Sequence, residues 1–292
     1  MARKVDPWRR IEAAAVGSLT PPVAVSRRGA RRIAEIPPSI RRRLDRGEIE
    51  TVVLVEWLAI DLPTLLRRTL PEVGLEAQTE VMVRGARARA ETPFVQRLRD
   101  VGGDLFVQLG RSGRPAEVAF ALATHPSDMV RALLVLALGA DPGLALPRRL
   151  EIARRLAADR ASSVRECTWD AIRPHLAREL DAALGELASW VHDDNADVRR
   201  CASEATRPRG VWCAHIPELK TRPERARDLL DALRADPSRY VQTSVANWIN
   251  DASKSRPDWV RALAARWSQE SPTAETAWIL NHGTRTLRRR GE

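Results

Sequence analysis

Apolar residues along this chain recur three and four positions apart, and strand-like alternation is rare. Segments such as Pro147 to Asp159 and Arg225 to Ala235 carry one apolar stripe each, the pattern of amphipathic helices. Gly and Pro stand between such segments rather than inside them. The pattern predicts an all-α protein built helix after helix.

An internal repeat organises these helices. Four segments share an acid or His, four residues, Val, and then a polar residue: His125 with Val130-Arg131, Asp159 with Val164-Arg165, Asp193 with Val198-Arg199, and Asp236 with Val241-Gln242. The valines are spaced by 34, 34 and 43 residues. Such periods mark helical solenoids in which each repeat is a helix pair. The motif resembles the start of the second helix of a HEAT-type repeat, where the acid caps the inter-helix turn and Val enters the core. The expected fold is a right-handed superhelical solenoid over residues 47–292, with a further helix beginning near Thr273. Residues 1–46 hold twelve Arg or Lys against four acids and are interrupted by Pro21-Pro22 and Pro37-Pro38. They are expected to form a basic N-terminal arm with one or two short helices, either touching phosphate or solvated.

Composition narrows the class. The 292 residues suit one or two domains, and 44% hydrophobic with 29% charged residues is ordinary for a soluble protein. No run approaches the roughly 18 apolar residues of a membrane span. No apolar signal core follows the N-terminus. Cys167, Cys201 and Cys213 form no CxxC pair, which fits reduced thiols and a cytoplasmic location. The net charge is +10, and only Lys4, Lys220 and Lys254 are lysines among 48 cations. Arginine forks match phosphate oxygens, so nucleic acid is a candidate partner; a GC-rich coding bias is the alternative source of so much arginine.

The repeat frame also aligns candidate chemistry. Six residues beyond each Val stand Leu136, Asp170, Glu204 and Asn247. If second helices line a concave face, three of these polar side chains are expected to converge. Asn247, Asn250, Asp251 and Lys254 share one helix face, read either as a groove-binding face or as a solvated face with an Asp251–Lys254 pair. Arg200, Glu204 and Arg207 share another, ended by Pro208. Arg207, Arg209 and Trp212 then fall in or near a loop, suited to phosphate binding and stacking, or to plugging the next core layer. Trp169 and Asp170 lie mid-helix before Pro174. Seven of nine tryptophans follow residue 160, and most are expected in the core.

Three ordered pieces carry a resemblance: Val-Arg-Arg-x-Ala-Ser-Glu-x-Thr-Arg-Pro-Arg-x-x-Trp ending at Trp212, Ser-Val-Ala-Asn-x-x-Asn-Asp-x-x-Lys ending at Lys254, and Trp-Ile-x-x-His-x-x-Arg-Thr-Leu ending at Leu287. They resemble the AlkC branch of the AlkC/AlkD DNA alkylation-repair glycosylases, HEAT-like repeat proteins, over roughly residues 125 to 291. The resemblance implies excision of cationic N3-alkylated bases, such as 3-methyladenine, from duplex DNA without full base flipping. It puts Glu204, Trp212 and Asp251 on acidic and aromatic active-site positions. A third family acid precedes the run Ala171-Ile172-Arg173-Pro174. Here the preceding pair is Trp169-Asp170, in swapped order. Gapless alignment puts Trp169 at the acid's position, whereas the repeat frame favours Asp170. Gly210-Val211 replaces the usual Leu-Pro before Trp212, and Asn281 stands where a basic residue often precedes the family His, here His282. The sandwich domain that follows in some relatives is expected to be absent.

The implied chemistry stabilises an oxocarbenium-like sugar. Asp251 would orient water, Glu204 and Asp170 would add field, and Trp212 with Trp169 would stack on the sugar. A cationic leaving group needs no general acid, and no metal or organic cofactor is expected. Phosphate or groove contacts are expected from Arg165, Arg200, Arg207, Arg209, Asn247, Asn250, Lys254, His282, Arg285 and the Arg288-Arg289-Arg290 tail. The expected partner is alkylated double-stranded DNA, bound by a monomer, with no membrane involved. A non-catalytic DNA-binding solenoid and a HEAT-like protein scaffold are the rival readings.

Overall fold

The computed structural model describes residues 6–19 and 27–289, and every regular element among them is helical. No described helix is long and apolar enough to cross a membrane. Contacts divide the chain into two units, Met1–Ala171 and Ile172–Glu292. The expected boundary at 46/47 falls inside the first unit.

In the first unit, the Asp128–Ala140 helix is buried from Asp128 to Leu138 and forms its centre. The Phe94–Leu109 helix packs on it closely, because Gly102 leaves room where a Cβ would meet the Leu136 Cβ at 2.4 Å. The Leu146–Ala157 helix covers the expected Pro147-to-Asp159 segment, with its apolar stripe inward. The described start of the basic arm is not a solvated extension. Trp8 and Ile11 are buried, and their short helix Arg9–Glu12 packs on the Pro115–Ala123 and Leu146–Ala157 helices. Trp8 Nε1 donates to Asp141 Oδ2 at 2.9 Å, and Arg148 pairs with Asp6 and Glu12. Two aromatic and aliphatic anchors thus override the charge signal of this segment. Pro21-Pro22 lies outside the described residues.

In the second unit, the Arg239–Ser253 helix is the hub. It packs on the Ala196–Ala205, Pro257–Glu270 and Ala274–Gly283 helices. Gly283 permits one of these approaches, since a Cβ there would meet the Ile249 side chain at 3.0 Å. The last repeat helix pair is irregular: the expected Arg225-to-Ala235 helix is a 3-10 turn, Pro223–Ala226, followed by Arg227–Ala232. The helix near Thr273 starts at Ala274, and the Thr273 side chain accepts from Thr276 N–H.

The repeat motif has one local geometry at all four positions. Its first side chain caps the backbone N–H two residues on. Ser127 N–H donates to His125 Nδ1 at 3.0 Å, and Ala161, Asn195 and Ser238 N–H donate to Asp159, Asp193 and Asp236 at 2.8 Å. The polar residue after Val donates back to that first residue's carbonyl: Arg131 to His125 (2.7 Å), Arg165 to Asp159 (2.7 Å), Arg199 to Asp193 (2.8 Å) and Gln242 to Asp236 (2.7 Å). The four valines are buried. Within each unit, one arginine also reaches the next motif's acid bidentately. Arg131 holds Asp159 at 2.7 and 3.0 Å, and Arg199 holds Asp236 at 2.7 and 3.0 Å.

His125 differs from the three aspartates in being titratable near neutrality. Burial first, and the Arg131 charge second, lower its pKa from 6.5 to about 4. Its Nδ1 must accept from Ser127 N–H, which the doubly protonated ring does not allow. The exposed Glu72 carboxylate, 4.0 Å away, does not reverse this. The unfolded chain therefore binds this proton first. The stability His125 provides is intact above pH 6.5 and is lost as pH falls from 6.5 toward 4, by roughly 3 kcal/mol in total. Urea unfolding of wild type and His125→Gln between pH 7 and 4 should show a shallower acid loss in the variant; parallel curves would contradict this account.

Candidate active site

The second unit gathers two carboxylates from different helices on one guanidinium. Glu204 ends the Ala196–Ala205 helix and Asp251 lies near the end of Arg239–Ser253. Arg207, just past the first helix, bridges them. Its Nη1 donates to Glu204 Oε1 at 2.6 Å, and its Nε and Nη2 donate to Asp251 Oδ2 at 2.9 and 2.8 Å. The other two oxygens are also engaged. Ser244 Oγ donates to Glu204 Oε2 at 2.7 Å, and Lys254 Nζ donates to Asp251 Oδ1 at 3.1 Å. Glu204 is 6% and Asp251 3% exposed. Burial works against the Arg207 charge, but Glu204 and Asp251 outweigh it and raise its pKa. Two buried carboxylates and a largely covered guanidinium are thus held by mutual neutralisation.

Sequence places these side chains for local reasons. Glu204 is three residues before Arg207, and Asp251 three before Lys254, so each pair meets across one helical turn. The helix hub brings the two pairs together. A buried Ser203–Ser244 contact of 2.7 Å supports Glu204 from behind.

After Arg207 comes a nine-residue loop to Ile216, and Arg173 fixes it. Arg173 is buried and donates to the carbonyls of Ala205 (2.8 Å), Arg207 (2.5 Å) and Ala214 (3.0 Å). It satisfies helix-end acceptors that would otherwise be orphaned. Pro208 O accepts from Ile216 N–H at 3.1 Å and closes the loop. At Gly210, a Cβ would meet Cys213 Sγ at 2.0 Å, so the tight turn admits no side chain. The loop presents Val211 and Trp212, 67% and 53% exposed, and Arg209 Nη2 donates to Ser255 Oγ at 2.7 Å.

Several expected contacts have different geometry. Asn250 is buried and accepts from Thr286 N–H and Oγ1–H, at 3.3 and 2.8 Å. Asn247 accepts from Arg285 Nη2 at 2.9 Å. These amides tie down the Arg285–Arg289 helix instead of forming an open groove face. Burial, with the nearby charges of Arg207 and Arg289, lowers the Arg285 pKa despite Asp251. Arg207 meets carboxylates rather than open solvent, and Arg165 meets the carbonyls of its own turn. Arg200 stands 3.7 Å from Glu204 and over the Tyr240 ring at 4.4 Å. His282 stacks on Trp278 at 3.8 Å. Arg288 is exposed, with Nη1 donating to Thr284 Oγ1 at 2.9 Å, and Arg290 lies outside the described residues.

Asp170 and Trp169 belong to the first unit. Arg99 grips Asp170 bidentately, at 2.9 and 2.6 Å. Trp169 is 2% exposed, and its Nε1 donates to Glu166 at 2.9 Å. This corrects the expectation that Trp169 stacks on a sugar, because its ring faces the core. Sequence reasoning did not single out Ser244, Arg99 or Arg173 as site residues. Ser244 and Arg173 stood inside the quoted motifs, but long-range partners gave them their roles. Arg99 had no motif signal.

Removing Arg207 should leave two buried carboxylates unpaired. Arg207→Met is expected to lose about 3–5 kcal/mol in urea unfolding at pH 7. Adding Glu204→Gln and Asp251→Asn should restore part of it; no restoration would mean that Arg207 stabilises by packing alone.

Residues 143–286 match a family model described as DNA alkylation repair enzyme. Over 122 residues the chain is 40% identical to "Uncharacterized protein YhaZ" of Bacillus subtilis (strain 168), covering 42% of this chain and 34% of that protein. It is similar to the Pseudomonas fluorescens alkylpurine DNA glycosylase AlkC bound to DNA containing an abasic site analog, at TM-score 0.62 and 29% identity. That likeness covers 79% of this chain and 63% of AlkC. The chain therefore spans about a third of the curated relative and less than two thirds of AlkC. The fold is shared with AlkD2 from Streptococcus mutans, at TM-score 0.50 and 21% identity over 77% of this chain and 98% of that one. Just under half of this chain, residues 143–286, thus matches the DNA alkylation repair enzyme family, and its helical fold is similar to those of AlkC and AlkD2.

Proposed function

We propose that this protein is a DNA glycosylase that excises cationic N3-alkylated bases, such as 3-methyladenine, from duplex DNA. The observation that carries the reading is the buried Glu204–Arg207–Asp251 cluster, held by two packed helices within the residues that match the repair family. The likeness to AlkC with abasic-site DNA supports it, since an abasic site is what base excision leaves.

The chemistry follows from the residue types. A cationic base leaves as a neutral molecule, so no proton need be donated to it. Positive charge then grows on the deoxyribose. Asp251 and Glu204 supply fixed negative charge for that sugar, and Asp251 accepts a hydrogen bond from the attacking water and orients it. Trp212, half exposed on the tightly fixed loop, offers a π face to the same charge. Arg207 holds both carboxylates in place through its hydrogen bonds, so little reorganisation is needed in the transition state.

A non-catalytic damage-binding protein is the second reading. It is favoured by one feature: every oxygen of both carboxylates already has a donor.

The test is release of free modified base from methylated duplex DNA, followed by mass spectrometry. Wild type should release 3-methylated bases, and Asp251→Asn should be slower by about 10²–10³-fold while still binding duplex. Equal release by both would remove Asp251 from the mechanism. Binding without release by wild type would favour the second reading.

A further inference from the structure

Most arginines with close partners here are spent on carboxylates or carbonyls, as Arg199, Arg207 and Arg266 show. Arg239 is placed differently. It opens the Arg239–Ser253 helix, is exposed, and has its guanidinium carbon over the Trp278 ring, 4.0 Å from its centroid. Trp278 in turn stacks on His282, with centroids 3.8 Å apart and planes 24° apart. His282 Nδ1–H donates to the Trp278 carbonyl at 2.8 Å, which fixes the imidazole against the indole. The Arg239 guanidinium, the indole and the imidazole thus stand in one column.

Stacking uses the face of a guanidinium and leaves its N–H edge for a ligand. Among the described residues, no hydrogen bond joins that edge to a carboxylate. An exposed guanidinium held over an aromatic ring matches the paired oxygens of a phosphodiester. Loss of side-chain freedom has already occurred in the unbound protein, so binding costs less entropy. The column also has a defined relation to the carboxylates. Asp251 is on the same helix, twelve residues on, about 18 Å along its axis. That distance corresponds to roughly five base pairs of duplex.

We propose that the Arg239–Trp278–His282 column is a docking point for a DNA backbone phosphate, several base pairs from the lesion. This rests on the DNA-repair reading above. It gives His282 a supporting role beneath a guanidinium and adds Arg239, which no motif had marked.

The test is fluorescence anisotropy of an undamaged labelled duplex over a series of salt concentrations. It compares wild type, Arg239→Gln, Arg239→Lys and Trp278→Leu, each checked for a wild-type thermal transition. Arg239→Gln should bind roughly fivefold more weakly at low salt, with a log–log salt slope smaller by about one. Arg239→Lys should recover the slope but not the affinity, and Trp278→Leu should also weaken binding. Wild-type affinity and slope in Arg239→Gln would overturn the site while leaving the repair reading intact. Full recovery of affinity by Arg239→Lys would overturn the stacked geometry. Failure of the wild type to bind duplex would overturn both.

Discussion

The fork of the arginine side chain holds this fold together. A guanidinium has donors on two edges, so one arginine can tie its own turn and reach a second element. Arg131 and Arg199 do this in the two units. Each closes the carbonyl of its own motif and grips the acid of the next one. The acid is already engaged with the backbone N–H of the turn that it opens. Helix end, turn and neighbouring repeat therefore share one hydrogen-bonded chain. Lysine, a point donor on a flexible stem, cannot replace it, which gives a structural reason for a chain with three lysines among 48 cations.

The candidate active site uses the same device under different demands. Arg207 has the bridging geometry of the repeat arginines, but its two acids sit beside a loop with an exposed tryptophan. In a structural turn, neutralised carboxylates are an end point. In the proposed site for cationic bases they would be a reserve of negative charge already oriented by Arg207. Arg173 adds the rigidity, because its three carbonyl contacts hold both ends of the loop that presents Trp212.

Much of this was legible in the residues. The helix class, the repeat register and the buried valines follow from period and spacing, which are local properties. The Glu204–Arg207 and Asp251–Lys254 contacts are three residues apart and follow from helix geometry. The contact of Arg207 with Asp251 spans 44 residues, and that of Arg99 with Asp170 spans 71. No periodicity reports such pairings. For the same reason Asn247 and Asn250, polar and on one helix face, read as open to a ligand, although the C-terminal residues Arg285 and Thr286 take them. The basic N-terminal segment misled in another way. Net charge averages over a segment, whereas Trp8 and Ile11, with the Arg148 pairs to Asp6 and Glu12, anchor its described start.

The swapped pair Trp169-Asp170 can now be read physically. Exchanging neighbours on a helix turns each side chain by about 100° around the axis. Trp169 thereby enters the core, where its indole N–H meets Glu166. Asp170 lands within the bidentate grip of Arg99. An acid at this helical position is thus kept, but with its own arginine, as Asp251 and Glu204 have theirs. The Asp170–Arg99 pair repeats the pattern of carboxylates clamped by guanidinium groups, and Trp169 is buried. Of the two tryptophans expected to stack on a sugar, Trp212 is the exposed one, at 53% against 2% for Trp169. Under the glycosylase proposal, selectivity would accordingly be expected from the loop from Arg207 to Ile216 more than from the helix Ser162–Arg178.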